Sequence, residues 1–315
     1  MASLFNPSRA GGGVGNLNLS RHAKRGLQVL QVPALTQFRW LVHGFSTRLG
    51  GVSPSPNSPS RLAKGNDLNL GKVPWDNPQN VEVNRRRLLS SLDAEQMNLV
   101  IPKQIHSDLI RVLTDMPRAD FPLPGDGLVT NHPGLLLSIQ VADCLPILLV
   151  DVRQRVVAVL HCGWRGTVRR LAQKGVGMMK LMFGSREDDL WAAIGPGIRV
   201  CCFSVGEEVA EEFEGQFHYA GQLFNHRQVT PTPLERKYPG LFKNRLKASD
   251  RPKHHDTYLD LVQANLYQLR EAGISVNRID SGAPCTRCHS ELFFSHRRDD
   301  GKTGRMMGMI GIRGQ

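Results

Sequence analysis

The chain has 315 residues, 40% of them hydrophobic, and a formal net charge of +12. That length and apolar content suit one large domain or two, and no apolar run approaches the ~20 residues a membrane helix needs. Six cysteines are too few for a secreted disulfide scaffold, and no signal-peptide core precedes them, so a reducing, cytoplasmic setting is expected. The charge does not point to nucleic acid. Residues 1–66 hold eight Lys or Arg and no acid, leaving +4 for the remaining 249, and no aromatic-rich basic motif accompanies them. Residues 1–35 read as a disordered basic leader, with an organelle transit peptide as the other reading, and residues 36–315 as the folded domain.

Phe38–Phe45 is strand-like and runs into Ser46–Ser53, where Gly50-Gly51 beside Arg48 reads as an ordinary turn, the other reading being a tight loop that offers N–H groups to an anion. Asp76-Asn77-Pro78 introduces a helix to about Leu92. Asn98–Ile101 is a short strand leading to Lys103-Gln104-Ile105-His106, and Pro124-Gly125-Asp126-Gly127 is a turn before the strand Leu128–Thr130. Leu136–Val141, Ile147–Val152 and Val156–Leu160 read as three successive strands. Cys144 follows the first and His161 the third. Thr167 is the expected N-cap of an amphipathic helix to Phe183, with Val168, Leu171, Ala172, Val176, Met179 and Met182 on its inward stripe. Leu190–Ile194 is a strand and Val205–Phe213 a helix. The stretch 216–254 lacks a clean period and reads as an inserted loop region. Asp256 caps a last helix to about Ala272, and Val276–Asp280 is a strand followed by a Cys- and Arg-rich tail. Strands follow one another without regular βαβ alternation. A mixed sheet or a pair of sheets flanked by helices is therefore expected, and no dinucleotide fingerprint occurs.

His106, Cys144 and His161 each lie near a strand end. Two imidazoles and a thiolate make a good three-ligand zinc set with an open fourth position. The same residues could serve as a thiol nucleophile with a histidine base, or as ordinary packing. Pro284-Cys285-Thr286-Arg287-Cys288-His289-Ser290-Glu291 holds both halves of the zinc-deaminase signature, but fused and in reversed order, so its Glu could not reach a metal-bound water. An ordinary turn is the simpler reading there, with a structural metal knuckle as the other.

The motifs His43-Gly44-Phe45-Ser46-Thr47-Arg48, Lys103-Gln104-Ile105-His106, Ala142-Asp143-Cys144-Leu145-Pro146 and His161-Cys162-Gly163-Trp164-Arg165-Gly166 together resemble one family. So do Ile194–Ile198 with Cys201–Gly206, and Phe293–Asp299 with Thr303-Gly304-Arg305. The chain resembles the YfiH/laccase-domain purine nucleoside phosphorylases, also called multicopper polyphenol oxidoreductases or peptidoglycan editing factors. The resemblance implies an α/β fold, a single layered α/β/β/α domain with mixed sheets. It implies a metal held by His106, Cys144 and His161, with zinc expected and copper the other possibility. It implies phosphorolysis of adenosine, inosine and methylthioadenosine, with adenosine deamination as a further activity. The expected partners are thus purine nucleosides and phosphate, with no nucleic acid and no membrane. Beside the metal trio, Asp143 is the candidate to orient a ligand or move a proton, and Arg48 and Arg165 are the candidate phosphate ligands. His296 stands where a Tyr is usual, and Cys162 where an Ala is usual. A Cys–His hydrolase acting on a peptidoglycan precursor and a copper polyphenol oxidase are the alternatives.

Overall fold

The computed structural model describes residues 20–24, 26–55, 66–117, 123–228 and 255–314. Two six-stranded sheets stack face to face. The first runs β1 (Ser20–Lys24), β2 (Leu27–Gln31), β3 (Leu41–Ser46), β16 (Met306–Ile312), β8 (Leu135–Val141), β5 (Asn98–Val100). The second runs β15 (Ile279–Asp280), β11 (Leu190–Ile194), β9 (Leu145–Asp151), β10 (Val156–Cys162), β7 (Gly127–Thr130), β6 (Ile110–Leu113). A small third sheet joins β12 (Ser204–Val205), β14 (His255–Leu259) and β13 (Phe224–Gln228). Most pairs are antiparallel, while β5–β8, β6–β7 and β11–β15 are parallel, so both large sheets are mixed.

The layers follow from period-two patterning in strands buried on both faces. In β10, Val157 and Val159 meet Leu137, Ile139 and Ile310 of the first sheet. Ala158 and Leu160 point the other way, toward Leu171, Val176 and Met179 of α4 (Leu171–Phe183) and Leu261 and Leu269 of α6 (Leu261–Glu271). The outer face of the first sheet, through Leu136, Met307 and Met309, packs on Leu88 of α2 (Pro78–Ser91). The order helix, sheet, sheet, helix is the α/β/β/α layering that the family resemblance implies.

Several local expectations change. The folded domain begins before residue 36. β2 and α1 (Pro33–Thr36) lie within the domain, and Leu27, Val29, Leu30, Val32 and Leu35 are buried because β2 extends the sheet beside β3. His43, part of the first motif, fixes this segment: its Nε2 accepts the Val32 N–H at 3.1 Å, and burial pushes the imidazole down to about 4, so it stays a neutral acceptor. Residues 1–19 lie outside the described residues. Deleting residues 1–31 is expected to unfold the protein. It removes three nearly fully buried side chains, each worth about 1.5–3 kcal/mol, against a net stability of about 5–15 kcal/mol. Circular dichroism melting checks this, and an unchanged Tm would contradict it.

The glycine turn after Arg48 is a strand, β4 (Leu49–Ser53), bridged to Asp67. The long helix after His161 is two helices: α3 (Trp164–Val168), capped by Gly163, and α4, separated by Arg170 in the left-handed region at φ 62°. Thr167 is therefore inside α3 and buried, where its hydroxyl accepts from Asn265, and Met182 is exposed. α5 (Glu207–Gln216) begins two residues later than expected. The true cap of α6 is Asp260, which accepts the Gln263 N–H, because His255–Leu259 is a strand. Of the inserted region, 217–228 is described and includes β13, while 229–254 lies outside the described residues. β16, part of what the sequence suggests is a Cys- and Arg-rich tail, is a central strand of the first sheet.

Candidate active site

The second sheet ends where β9 starts and β10 finishes, and their register pairs Leu145 with Cys162 and Pro146 with His161. Antiparallel pairing thus brings Cys144 and His161 together although they lie seventeen positions apart. His106 arrives on the loop before β6. One donor atom from each of His106, Cys144 and His161 lies within 4.8 Å of the other two, and the two imidazole rings meet edge to face with centroids 5.0 Å apart. Gly163 has to be glycine here: a Cβ on it would stand 2.9 Å from the Cys144 Sγ.

One buried carboxylate builds this cluster. Asp126 accepts the backbone N–H groups of Ile105, His106 and Ser107, the Ser107 hydroxyl, and Nδ1–H of His161 at 2.8 Å. It therefore fixes the loop carrying one imidazole and the tautomer of the other, leaving His161 Nε2 for Cys144. Burial pushes the Asp126 carboxyl up, but bonds from His161 and Ser107 outweigh it and hold the carboxyl well below its usual range. Gln104 steadies the same loop by a reciprocal pair of bonds with the Gln140 backbone. His106 and Asp143 have φ of 56° and 90°, a sparsely populated region for non-glycine residues that only such networks sustain.

Burial raises the Cys144 thiol, yet the charge of His161 and a bond from His106 bring it down to about 6. Burial lowers His161, yet Cys144 and Asp126 raise it to about 9. Between those values the pair is a thiolate beside an imidazolium. In metal-free protein, alkylation of Cys144 by iodoacetamide should therefore rise as pH increases through about 6. A rise only near 9 would contradict this geometry. Cys162, fully buried one residue further, is pushed well above its usual value and is inert.

The trio opens into a cavity of about 380 Å³. Trp164, Ile198, Phe203 and Leu261 supply apolar wall, and Gln104, His296, Arg297 and Arg305 supply polar groups. Two aromatic side chains and two guanidiniums, one of which (Arg297) lies over the Phe203 ring, suit a ligand with a planar base and an anionic partner.

The multi-copper polyphenol oxidoreductase laccase family model matches residues 42–313. The purine nucleoside phosphorylase YlmD of Geobacillus stearothermophilus is 34% identical over 287 residues, which spans 88% of this chain and 92% of that protein. Adenosine deaminase RL5, from an unknown prokaryotic organism, is 34% identical over 76% of this chain and 84% of its own length. The crystal structure of the hypothetical protein YfiH from Bacillus licheniformis superposes with a TM-score of 0.74 at 30% identity, covering 94% of this chain and 99% of that one. The chain belongs to the YfiH/laccase-domain family.

Within this YfiH-type fold the expected site residues do not all gather. His106, Cys144 and His161 do. Asp143 lines the cavity, but its carboxylate is turned into the protein, where it accepts from Thr286, Ser295 and the Arg297 N–H. It anchors the 286–297 segment beneath Cys144 and has no oxygen aimed at the trio. Arg48 is not at the cavity: its guanidinium makes two bonds to Asp67, at 3.0 and 2.6 Å, and a third to the Ser290 carbonyl. Arg165 is exposed, stacks on the Trp164 ring at 4.2 Å and does not line the cavity. The cavity's cations are instead Arg297 and Arg305, and its central acid is Asp126. Arg297 stood in sequence next to His296, a motif position, and Arg305 in Thr303-Gly304-Arg305. Asp126 carried only a turn signal.

Proposed function

We propose that this protein is a zinc-dependent purine nucleoside phosphorylase, converting adenosine, inosine or methylthioadenosine and phosphate to free base and the ribose 1-phosphate. The observation that carries the reading is the three-donor cluster opening on a cavity with apolar and cationic walls, supported by relatives named as phosphorylases. In the reaction, a phosphate oxygen attacks the anomeric carbon, the C–N bond breaks, and its electron pair leaves with the base, which takes up a proton.

The donor set fits zinc: a soft thiolate and two imidazoles with space at the fourth position. When bound, zinc would supply Lewis-acid polarisation and lower a water's pKa to about 7. A chain of copper centres needs more histidine clusters than the described residues offer; among them the metal-capable groups are this trio and four cysteines. His106, Cys144 and His161 would hold the metal, Asp126 orients the His161 imidazole and anchors the loop that carries His106, and Asp143 positions Cys144. Arg297 and Arg305 hold phosphate where negative charge collects, in place of the Arg48 and Arg165 expected from the sequence, and the Trp164 and Phe203 rings hold the base. All six cysteines are free thiols, in keeping with a reducing, cytoplasmic setting.

The same pocket supports adenosine deamination as a second activity, the reading favoured by the relative named as a deaminase. There water adds at the purine amino carbon and ammonia leaves. The thiolate–imidazolium pair favours one competitor, a Cys–His hydrolase.

The test is a product analysis of zinc-loaded and copper-loaded protein with adenosine, inosine and methylthioadenosine, each with and without phosphate. Phosphate-dependent base and sugar phosphate are expected with zinc. Arg305→Ala should raise the KM for phosphate roughly tenfold or more, the loss of one charged hydrogen bond, with zinc content unchanged. Base release indifferent to phosphate would overturn the phosphorylase reading.

A further inference from the structure

Cys201 and Cys202 close the loop that follows β11, and Cys285 and Cys288 come from the segment between β15 and β16. In the sequence the second pair reads as an ordinary turn, with a structural metal knuckle as the other reading, and the first pair belongs to a family motif. The fold brings them together: one sulfur from each of the four lies within 4.8 Å of the others. Cys288 Sγ is 3.6 Å from that of Cys201 and 3.4 Å from that of Cys202.

These separations are far from a disulfide's ~2.05 Å. They are close to the edge of a sulfur tetrahedron, which at a Zn–S distance of ~2.3 Å is ~3.8 Å. Cys201 and Cys202 are also neighbours in sequence, with Cα atoms ~3.8 Å apart, closer than the usual range for a disulfide between them. Cys202 and Cys285 are buried while Cys201 and Cys288 reach solvent, so an ion has buried ligands and a way in. With four thiols and no gap left for water, this is a closed site of structural type.

The place in the fold gives the site a purpose. Its two loops are already tied by a Gly197–Cys285 bridge, by the Thr286 N–H to Gly197 carbonyl bond at 3.0 Å, and by Arg199 donating to the carbonyls of Ser281 and Ala283. One loop supplies Ile198 and Phe203 to the cavity wall, and the other supplies the Thr286 hydroxyl that holds Asp143 beside Cys144.

We propose that Cys201, Cys202, Cys285 and Cys288 bind a second, structural zinc ion that staples the two loops walling the cavity. The assignment is independent of what the cavity does.

The test is metal analysis of full-length protein purified without chelator from zinc-supplemented cells. Two zinc ions per chain are expected in the wild type. The His106→Ala/Cys144→Ala variant should keep one and Cys201→Ser/Cys288→Ser should keep one. The first variant guards against misfolding of the second, because it leaves the four cysteines intact. Its zinc should protect four thiols from alkylation, and chelation should expose all four. Replacing its zinc by cobalt should give intense thiolate-to-metal absorption. A His106→Ala/Cys144→Ala variant without metal, or an intact mass showing two disulfides among these residues, would overturn the proposal.

Discussion

Alanine at Cys144 is expected to remove the cavity metal and to cut purine release by on the order of 10³-fold or more. A metal acting as a Lewis acid contributes several kcal/mol, and about 4 kcal/mol corresponds to that factor. Alanine at His106 is expected to do nearly as much damage, because a three-donor site loses geometry and affinity with either ligand. The comparison matters more than either number. In a Cys–His pair, His106 would be dispensable, since the proton transfer needs only Cys144 and His161. Equal losses favour the metal site, whereas full activity in His106→Ala contradicts it. Zinc content measured on the same samples should fall by one ion per chain in each variant.

Asp126→Asn is the second large effect, and it is expected to reach both stability and function. The carboxylate is fully buried and accepts five hydrogen bonds, three of them from consecutive backbone N–H groups. The amide keeps one acceptor and turns two N–H donors toward groups that themselves donate. A cost of about 3 kcal/mol follows from stranding buried donors, or roughly 6 °C of Tm for a domain of this size. Loss of the orienting partner of a ligating histidine should also weaken zinc about 10–100-fold. The Cys144 alkylation midpoint should move up from about 6, because His161 without its carboxylate holds its proton less firmly. A variant that melts lower but keeps zinc affinity and the same midpoint would reduce Asp126 to a loop anchor.

That His106, Cys144 and His161 gather was legible in the sequence because ligand chemistry is local: a Cys and two His near strand ends suggest a shared site. The three strands around them were legible for the same reason, since β-branched runs declare themselves. Asp126 was not, although it organises the site. A Pro-Gly-Asp-Gly turn looks alike whether its carboxylate meets water or five donors, and only the fold brings residues 105–107 and 161 to it. Arg48 misled for the converse reason. A basic residue beside two glycines fits an anion-binding loop, but its partner, Asp67, lies beyond a proline-rich stretch with no visible pairing signal. β16 was missed because Met306–Ile312 is interrupted by glycines at 308 and 311. Those glycines are required there: a Cβ at 308 would meet Pro146 at 2.6 Å and one at 311 the Leu135 carbonyl at 2.3 Å. Of the four-cysteine cluster only Cys285 and Cys288 carried a metal signal in the sequence, as the knuckle reading, because the other pair lies on a different loop.

The most direct measurement is ribose 1-phosphate formation from inosine by protein stripped with a chelator and then titrated with zinc. No product is expected from the stripped protein, full activity once zinc returns, and none at any zinc level when phosphate is omitted. Hypoxanthine released by stripped protein without phosphate, and abolished when iodoacetamide alkylates Cys144, would contradict the zinc phosphorylase and establish a thiol hydrolase in its place.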